Sequence, residues 1–340
     1  MAEFLRNCWY MAGWSDEIGE APLRRRLLGD PMVFYRLKDG SVGALVDRCP
    51  HRFAPLSLGT RDGDCLVCPY HGLTFDAAGR CVRNPYGADL PKGAAVRAFA
   101  TQERDGIVWF WAGDAEQADG ALIPDFAMLE APGHGAPLSG NTIMAAPYEM
   151  GIDNLLDLSH IEWVHKGSFA GNGVIFGGQH EVKQDGAFLH SNWWMPDVAA
   201  PPHTYGIYDP AMRCDHWLDM RWQAPAAMYL QVGACPHDGP REGGVIAHQA
   251  HILTPETRHS THYFWATTRS LPPSEDGDSM LRALFSQAFD MEDKPIIEAT
   301  FANMDGMDFW DLKPAYLGID AGGTTARRIL QKMIAAEADG

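Results

Sequence analysis

Apolar and polar positions along the chain fall into two regimes. Up to about residue 113 the apolar residues come in short runs of strand length. These are PMVFYRL, opened by Pro31 where a strand best tolerates proline, then a DGS turn and VGALVD, and later IVWFWAG at 107–113. The turn residues between them predict short antiparallel strands, beginning with a hairpin. From about 113 to 140 the composition shifts to Ala, Gly, Asp and Pro in AGDAEQADGALIPDF and APGHGAPLSG, as in a connecting segment. A domain break near 118 is therefore expected, giving domains 1–118 and 119–340. Beyond it both periods occur. HEVKQDGAFLHSNWWM sets an Asp-Gly turn between strand-like halves, GVIAHQAHILT and THYFWATTR are strand-like, and helical patterns cover roughly 150–165, 278–304 and TTARRILQKMIAAEA. The expected fold class is α+β: an all-β domain, then an antiparallel sheet with helices, helix-grip-like in character.

Composition narrows the function classes. With 340 residues, 46% of them hydrophobic and 11% aromatic, the chain can bury the cores of two domains. A formal net charge of -17 supplies no basic surface for phosphate backbones, so nucleic acid is not an expected partner. No apolar run approaches the roughly 18 to 20 residues of a membrane span. The start, MAEFLRNCWYMAGWSDEIGE, has no long apolar segment, so a cytoplasmic protein is expected. Seven cysteines at positions 8, 49, 65, 68, 81, 214 and 235 make an odd, thinly spread set rather than a disulfide framework. Gly-Gly in DAGGTT follows no strand and lacks the GxGxxG spacing, so it is no evidence for a dinucleotide site.

Two doublets carry the first chemistry. CPHRFAPL holds Cys49 and His51, CPYHGLTF holds Cys68 and His71, and residues 52–67 lie between the pairs. Zinc would accept the same four side chains in a closed tetrahedral site. Zinc fingers, however, usually pair Cys with Cys and His with His. A Rieske 2Fe-2S cluster needs two thiolates on one iron and two imidazoles on the other, so each loop can donate one of each. In its flanks, CPHR and CPYHG, the stretch resembles the Rieske motif; Ala54 and Tyr70 stand where some Rieske proteins carry an extra disulfide, and the resemblance then implies the oxygenase branch.

Such a cluster carries single electrons, so an enzyme would need a second site. MGIDNLLDLSHIEWVHKGS holds Asp153, Asn154, Asp157, His160 and His165 within thirteen residues. On one helix Asn154, Asp157 and His160 share a face, whereas His165 lies about 140° further around. For both histidines to meet one metal, the helix must end or deform near His160. Two histidines and one carboxylate make the facial triad of non-haem ferrous oxygenases. The carboxylate must come from elsewhere.

With these motifs, from RNCWYMAGWSDEI through DNLLDLSHIEWVH to LGIDAGGTTARRIL, the chain resembles the oxygenase component of a Rieske non-haem iron oxygenase, in the vanillate O-demethylase and dicamba monooxygenase group. The resemblance implies an N-terminal Rieske domain and a C-terminal catalytic domain with mononuclear Fe(II) on His160 and His165. It implies a third ligand at Asp293 in FDMEDKPIIEA, where Asp290 and Glu292 are neighbours, and places Asn154 beside the iron. Asp157 would bridge His160 to His71 of a neighbouring copy, which implies a head-to-tail ring, usually a trimer. Electrons would come from NAD(P)H through a separate ferredoxin or flavin reductase, with O2 as co-substrate. The implied reaction is oxidative O-demethylation of a methoxylated, vanillate-like aromatic acid, releasing formaldehyde; hydroxylation of an aromatic ring or methyl group is the alternative. A Rieske electron carrier with a non-catalytic binding domain is the alternative from another class. Family pockets draw on the strands around 216–265, with Met228, Tyr229, Leu230, His251 and Trp265, and on helix residues such as Phe285. His251 is the candidate positive or donor group for a substrate carboxylate, with Leu230 and Phe285 as apolar contacts.

Overall fold

The computed structural model describes residues 4–130, 136–169 and 173–339. Two compact units divide at Pro124 and Asp125, with Thr254–Arg258 and the last residues from Glu337 counted in the first unit. Part of the connecting stretch at 113–140, residues 131–135, lies outside the described residues.

Among the described residues the first unit is built from ten short strands: β1 (Trp9–Trp14), β2 (Leu23–Leu27), β3 (Asp30–Arg36), β4 (Val42–Val46), β5 (Thr60–Asp62), β6 (Cys65–Val67), β7 (Thr74–Phe75), β8 (Cys81–Arg83), β9 (Thr101–Arg104) and β10 (Ile107–Trp111). They form antiparallel sheets ordered β1-β10-β9, β2-β3-β4 and β5-β6-β7-β8. Strands β3 and β10 are continuous apolar runs because both of their faces are covered, and every residue of β10 is buried. Val33, Tyr35, Leu45, Leu56, Leu66, Leu73 and Phe75 pack into one core cluster. Cys49 and Cys68 belong to that same cluster.

The second unit centres on one antiparallel sheet. Its strands are β11 (Leu138–Met144), β12 (Gln179–Asp185), β13 (Phe188–Ala199), β14 (Arg213–Gln223), β15 (Ala227–Pro236), β16 (Val245–Thr257) and β17 (Ser260–Thr267), in the order β11-β17-β16-β15-β14-β13-β12. Along β13 the buried positions Leu189, Ser191, Trp193 and Met195 alternate with less buried ones, the period-2 signature of a sheet with one dry face.

Helices α1 (Tyr148–Leu156), α2 (Ile161–Val164), α3 (Glu275–Ser286), α4 (Lys294–Asn303) and α5 (Ala321–Asp339) complete the unit. Helix α1 buries Tyr148, Gly151, Ile152, Leu155 and Leu156, and a Cβ at Gly151 would meet Leu253 Cδ1 at 2.9 Å, so glycine lets the helix lie close against β16. Gly322 and Gly323 of α5 serve the same end. Added Cβ atoms there would lie 2.9 Å from Leu156 O and 2.7 Å from Asp153 Oδ1, and Arg327 Nη2 reaches Asp153 Oδ2 at 2.6 Å. The glycine pair is thus spent on helix packing.

Candidate metal centres

In the first unit the two doublets sit on two facing loops. Cys49 N donates to Ala54 O and Cys68 N to Leu73 O, at 2.9 and 2.8 Å. Phe53 N and Gly72 N donate back to the two cysteine carbonyls at 2.9 and 3.0 Å, with Phe53 and Gly72 both at positive φ. Each loop therefore folds tightly on its own backbone and leaves the side chains free to converge. The thiols are buried in the core and the imidazoles lie toward solvent, with ring centroids 4.5 Å apart.

Burial, then Cys68 beside it, pushes the Cys49 thiol up to about 11 against the lowering effect of the His51 amide. A metal that binds the Cys49 thiolate would displace that proton. Nδ1 of His71 is buried and has no hydrogen-bond partner among the described residues. An orphaned imidazole nitrogen is costly unless a ligand takes it. Two inner sulfurs and two outer nitrogens fit a 2Fe-2S cluster of the Rieske type. All seven cysteines are free of disulfides.

In the second unit the helix expected over 150–165 deforms, as convergence of its histidines requires. Helix α1 stops at Leu156; Asp157 takes φ -122 and ψ 82, a 3-10 turn covers Leu158–His160, and the short α2 ends at His165. Asp157 Oδ1 caps this turn, accepting from Ser159 N at 3.0 Å and from Ser159 Oγ at 2.6 Å. The expected contact of the Asp157 carboxylate with His160 is corrected here. His160 Nδ1 donates to the Asp157 main-chain carbonyl at 2.5 Å, because the cap holds the carboxylate on the turn.

The helix expected over 278–304 is continuous, but between α3 and α4 the residues Gln287–Asp293 form a π-helical segment. Such widened turns recur at functional sites, because they aim side chains that a regular helix would not. This one turns Asp293 inward, with 5% side-chain exposure. Its oxygens lie 3.5 Å from His160 Nε2 and 3.2 Å from His165 Nε2, and Asn154 Nδ2 donates to Oδ1 at 3.2 Å. Burial would raise the Asp293 carboxyl, but hydrogen bonds from His160 and His165 outweigh it and hold the group below the usual carboxylate range.

His160, His165 and Asp293 each offer a ligand atom within 4.8 Å of the others. With both Nδ1 atoms engaged elsewhere, both Nε2 atoms face the carboxylate. Two imidazoles whose Nε2 atoms a metal could take in place of a proton, with one buried carboxylate, fit ferrous iron. Of the three acidic candidates, Asp293 lies at this point. Asp290 instead accepts from Ser286 Oγ at 2.7 Å, and Glu292 reaches the far side of the His165 ring, a contact that residue spacing gave no means of assigning.

Two of the three candidate substrate residues, His251 and Phe285, lie in an aromatic assembly beside this point. Phe169 meets the His165 ring at 5.7 Å and Phe285 at 5.5 Å; Phe285 stacks on Trp265 at 4.9 Å and meets Phe289 at 5.3 Å. His251 and Tyr263 close it through Phe289, at 5.7 and 5.2 Å. His251 is corrected as a positive group. Complete burial pushes it down to about 4, leaving it neutral at pH 7. Both its nitrogens have protein partners, with Nδ1 2.7 Å from the Tyr263 hydroxyl and Nε2 3.2 Å from Gln249 Oε1. Leu230 is buried and sits opposite Gln249 across β15 and β16.

A model of the Rieske [2Fe-2S] domain matches residues 8–94, and one of the vanillate O-demethylase oxygenase C-terminal domain matches residues 144–336. This chain belongs to the Rieske oxygenases of the vanillate O-demethylase type. Among relatives, the oxygenase component of chloroacetanilide N-alkylformylase from Rhizorhabdus wittichii is 36% identical, covering 98% of this chain and 97% of its own. The dicamba O-demethylase oxygenase component of Stenotrophomonas maltophilia is also 36% identical, over 98% and 99%. A crystal structure of dicamba monooxygenase bound to 3,6-dichlorosalicylic acid superposes with a TM-score of 0.93 at 35% identity, covering 98% and 99% of the two chains.

The fold expectation is met in both halves, an all-β Rieske domain and an antiparallel sheet with helices. A Rieske oxygenase of this type is an oxidoreductase that incorporates oxygen, its cofactors are a 2Fe-2S cluster and non-haem iron, and it works with a separate electron-donating component. Among the described residues no helix is long and apolar enough to cross a membrane.

Proposed function

We propose that this Rieske oxygenase is the terminal component of a cytoplasmic system that oxidatively demethylates a methoxylated aromatic, using O2 and electrons from NAD(P)H delivered by a reductase. The observation that carries the reading is the convergence of His160 Nε2, His165 Nε2 and the Asp293 carboxylate beside a buried aromatic assembly. In this reading Cys49, Cys68, His51 and His71 hold the cluster, and His160, His165 and Asp293 hold the iron. Bound there, the iron would supply the activation of O2, with the electrons passed on from the cluster.

The residues of the chain prepare the site for that chemistry. The Asp157 carbonyl fixes the His160 tautomer, and Asn154 orients Asp293. Phe169, Phe285, Phe289 and Trp265 exclude water and offer ring faces against which an aromatic substrate can stack. Hydroxylation of an aryl methoxy carbon gives a hemiacetal that collapses to a phenol and formaldehyde. One oxygen atom enters the substrate and the other leaves as water, for two electrons and two protons supplied.

The Oδ2 atom of Asp157, beyond its capped Oδ1, is the contact that would reach His71 of a neighbouring subunit in a head-to-tail trimer. The proposal is tested by measuring formaldehyde when iron-loaded protein, a compatible reductase and NADH meet methoxybenzoates, neutral methoxyarenes and methyl analogues. Formaldehyde equal to substrate consumed supports demethylation. A hydroxylated product without formaldehyde moves the assignment to a hydroxylase. Iron at only two per chain, with no turnover, would leave an electron carrier.

A further inference from the structure

The two histidines of the candidate iron site are held unlike one another. His160 gives its Nδ1 proton to a neutral main-chain carbonyl, whereas His165 gives its own to a carboxylate, Glu292 Oε2, at 2.9 Å. That carboxylate is itself anchored. Oε1 accepts from Gly167 N at 3.0 Å and Gln287 Nε2 at 3.2 Å, and Oε2 also accepts from Ser168 Oγ at 2.5 Å. Four donors match the roughly four lone-pair sites an ionised carboxylate offers, and its side chain is 10% exposed.

Consecutive side chains of a helical segment leave its axis in different directions, and in the π segment Glu292 and Asp293 do so toward two edges of one ring. Asp293 faces the Nε2 edge of His165 at 3.2 Å while Glu292 faces its Nδ1 edge. Only Asp293 can share a metal with that ring.

We propose that Glu292 is a positioning residue whose negative charge makes His165 the stronger of the two iron-bound imidazoles. A carboxylate on Nδ1 draws the ring proton toward itself, raises the electron density at Nε2 and fixes the ring plane. The carbonyl on His160 fixes its ring with less charge, so His165 anchors the metal and His160 holds it more loosely. The inference rests on the reading of His160, His165 and Asp293 as the iron site.

The test is Fe(II) affinity of the full-length, cluster-loaded protein by chelator competition, in wild type, Glu292→Gln and Glu292→Ala. The nitric oxide adduct of the iron, read by electron paramagnetic resonance, supplies a signature independent of turnover. Glu292→Gln keeps an acceptor for His165 but removes the charge. It is expected to lose about 10-fold in affinity and to shift the resonance, and Glu292→Ala to lose about 100-fold, with cluster absorption unchanged in both. Wild-type affinity and spectrum in Glu292→Gln would overturn the role assigned to the charge, even if Glu292→Ala fails to fold. Wild-type protein that binds no iron beyond its cluster would overturn the site reading as well.

Discussion

Replacing Asp157 by Asn separates two jobs that the side chain and the backbone of one residue divide between them. The His160 Nδ1 contact is made by the carbonyl, so the substitution leaves it in place. The amide oxygen of Asn can still accept from Ser159 N and Oγ, and Asn caps helical turns about as well as Asp. The expected loss of stability is therefore a few tenths of a kcal/mol, roughly, and iron content should stay at the wild-type level.

What the substitution removes is the negative charge proposed to meet His71 of the neighbouring subunit. A hydrogen bond to a charged group contributes about 1.5–3 kcal/mol, which corresponds to roughly a 10- to 100-fold slower transfer of an electron if the contact lies on its path. The assay is stopped-flow reoxidation of the reduced cluster in a single turnover with substrate and oxygen, beside iron analysis of the same sample. Iron retained with slow reoxidation is the expected pair. Wild-type reoxidation would refute the bridging role, and loss of iron would refute the assignment of the His160 contact to the main chain.

Two further perturbations read the packing around the site. His251 is neutral in the native protein and titrates at about 4 there, against about 6.5 in an unfolded chain. Above pH 6.5 it contributes no pH dependence; between 6.5 and 4 only the unfolded chain takes up the proton, so stability falls with pH by as much as roughly 3 kcal/mol. His251→Gln should flatten the drop in Tm over that window, and an unchanged slope would contradict the burial argument. Arg327→Ala leaves Asp153 without its ion pair on α1, at 12% and 30% side-chain exposure for the two partners. Between the values for exposed and buried pairs, the cost should be about 1–3 kcal/mol, seen as a lower Tm and earlier proteolysis of α5.

The residues of the two metal motifs were legible because local chemistry constrains them. Paired Cys and His on short loops admit few uses, and two histidines five positions apart forced the expectation of a broken helix, which the turn at Leu158–His160 meets. The strands were legible for a similar reason, since short apolar runs bounded by turn residues leave the backbone few choices.

Other features depended on long-range packing and could not be read along the chain. A carbonyl occurs at every residue, so no pattern of side chains marks the one at Asp157 as the partner of His160. Nor does the string FDMEDKPIIEA say that a π segment would put Asp293 on one edge of His165 and Glu292 on the other. Whether His251 is a positive or a neutral group could not be read along the chain, because its environment is contributed by Tyr263, Phe289 and Gln249, residues that come together only when sheet and helix pack. A sequence specifies which groups are available; the low dielectric and fixed partners of the folded interior determine their protonation and their roles.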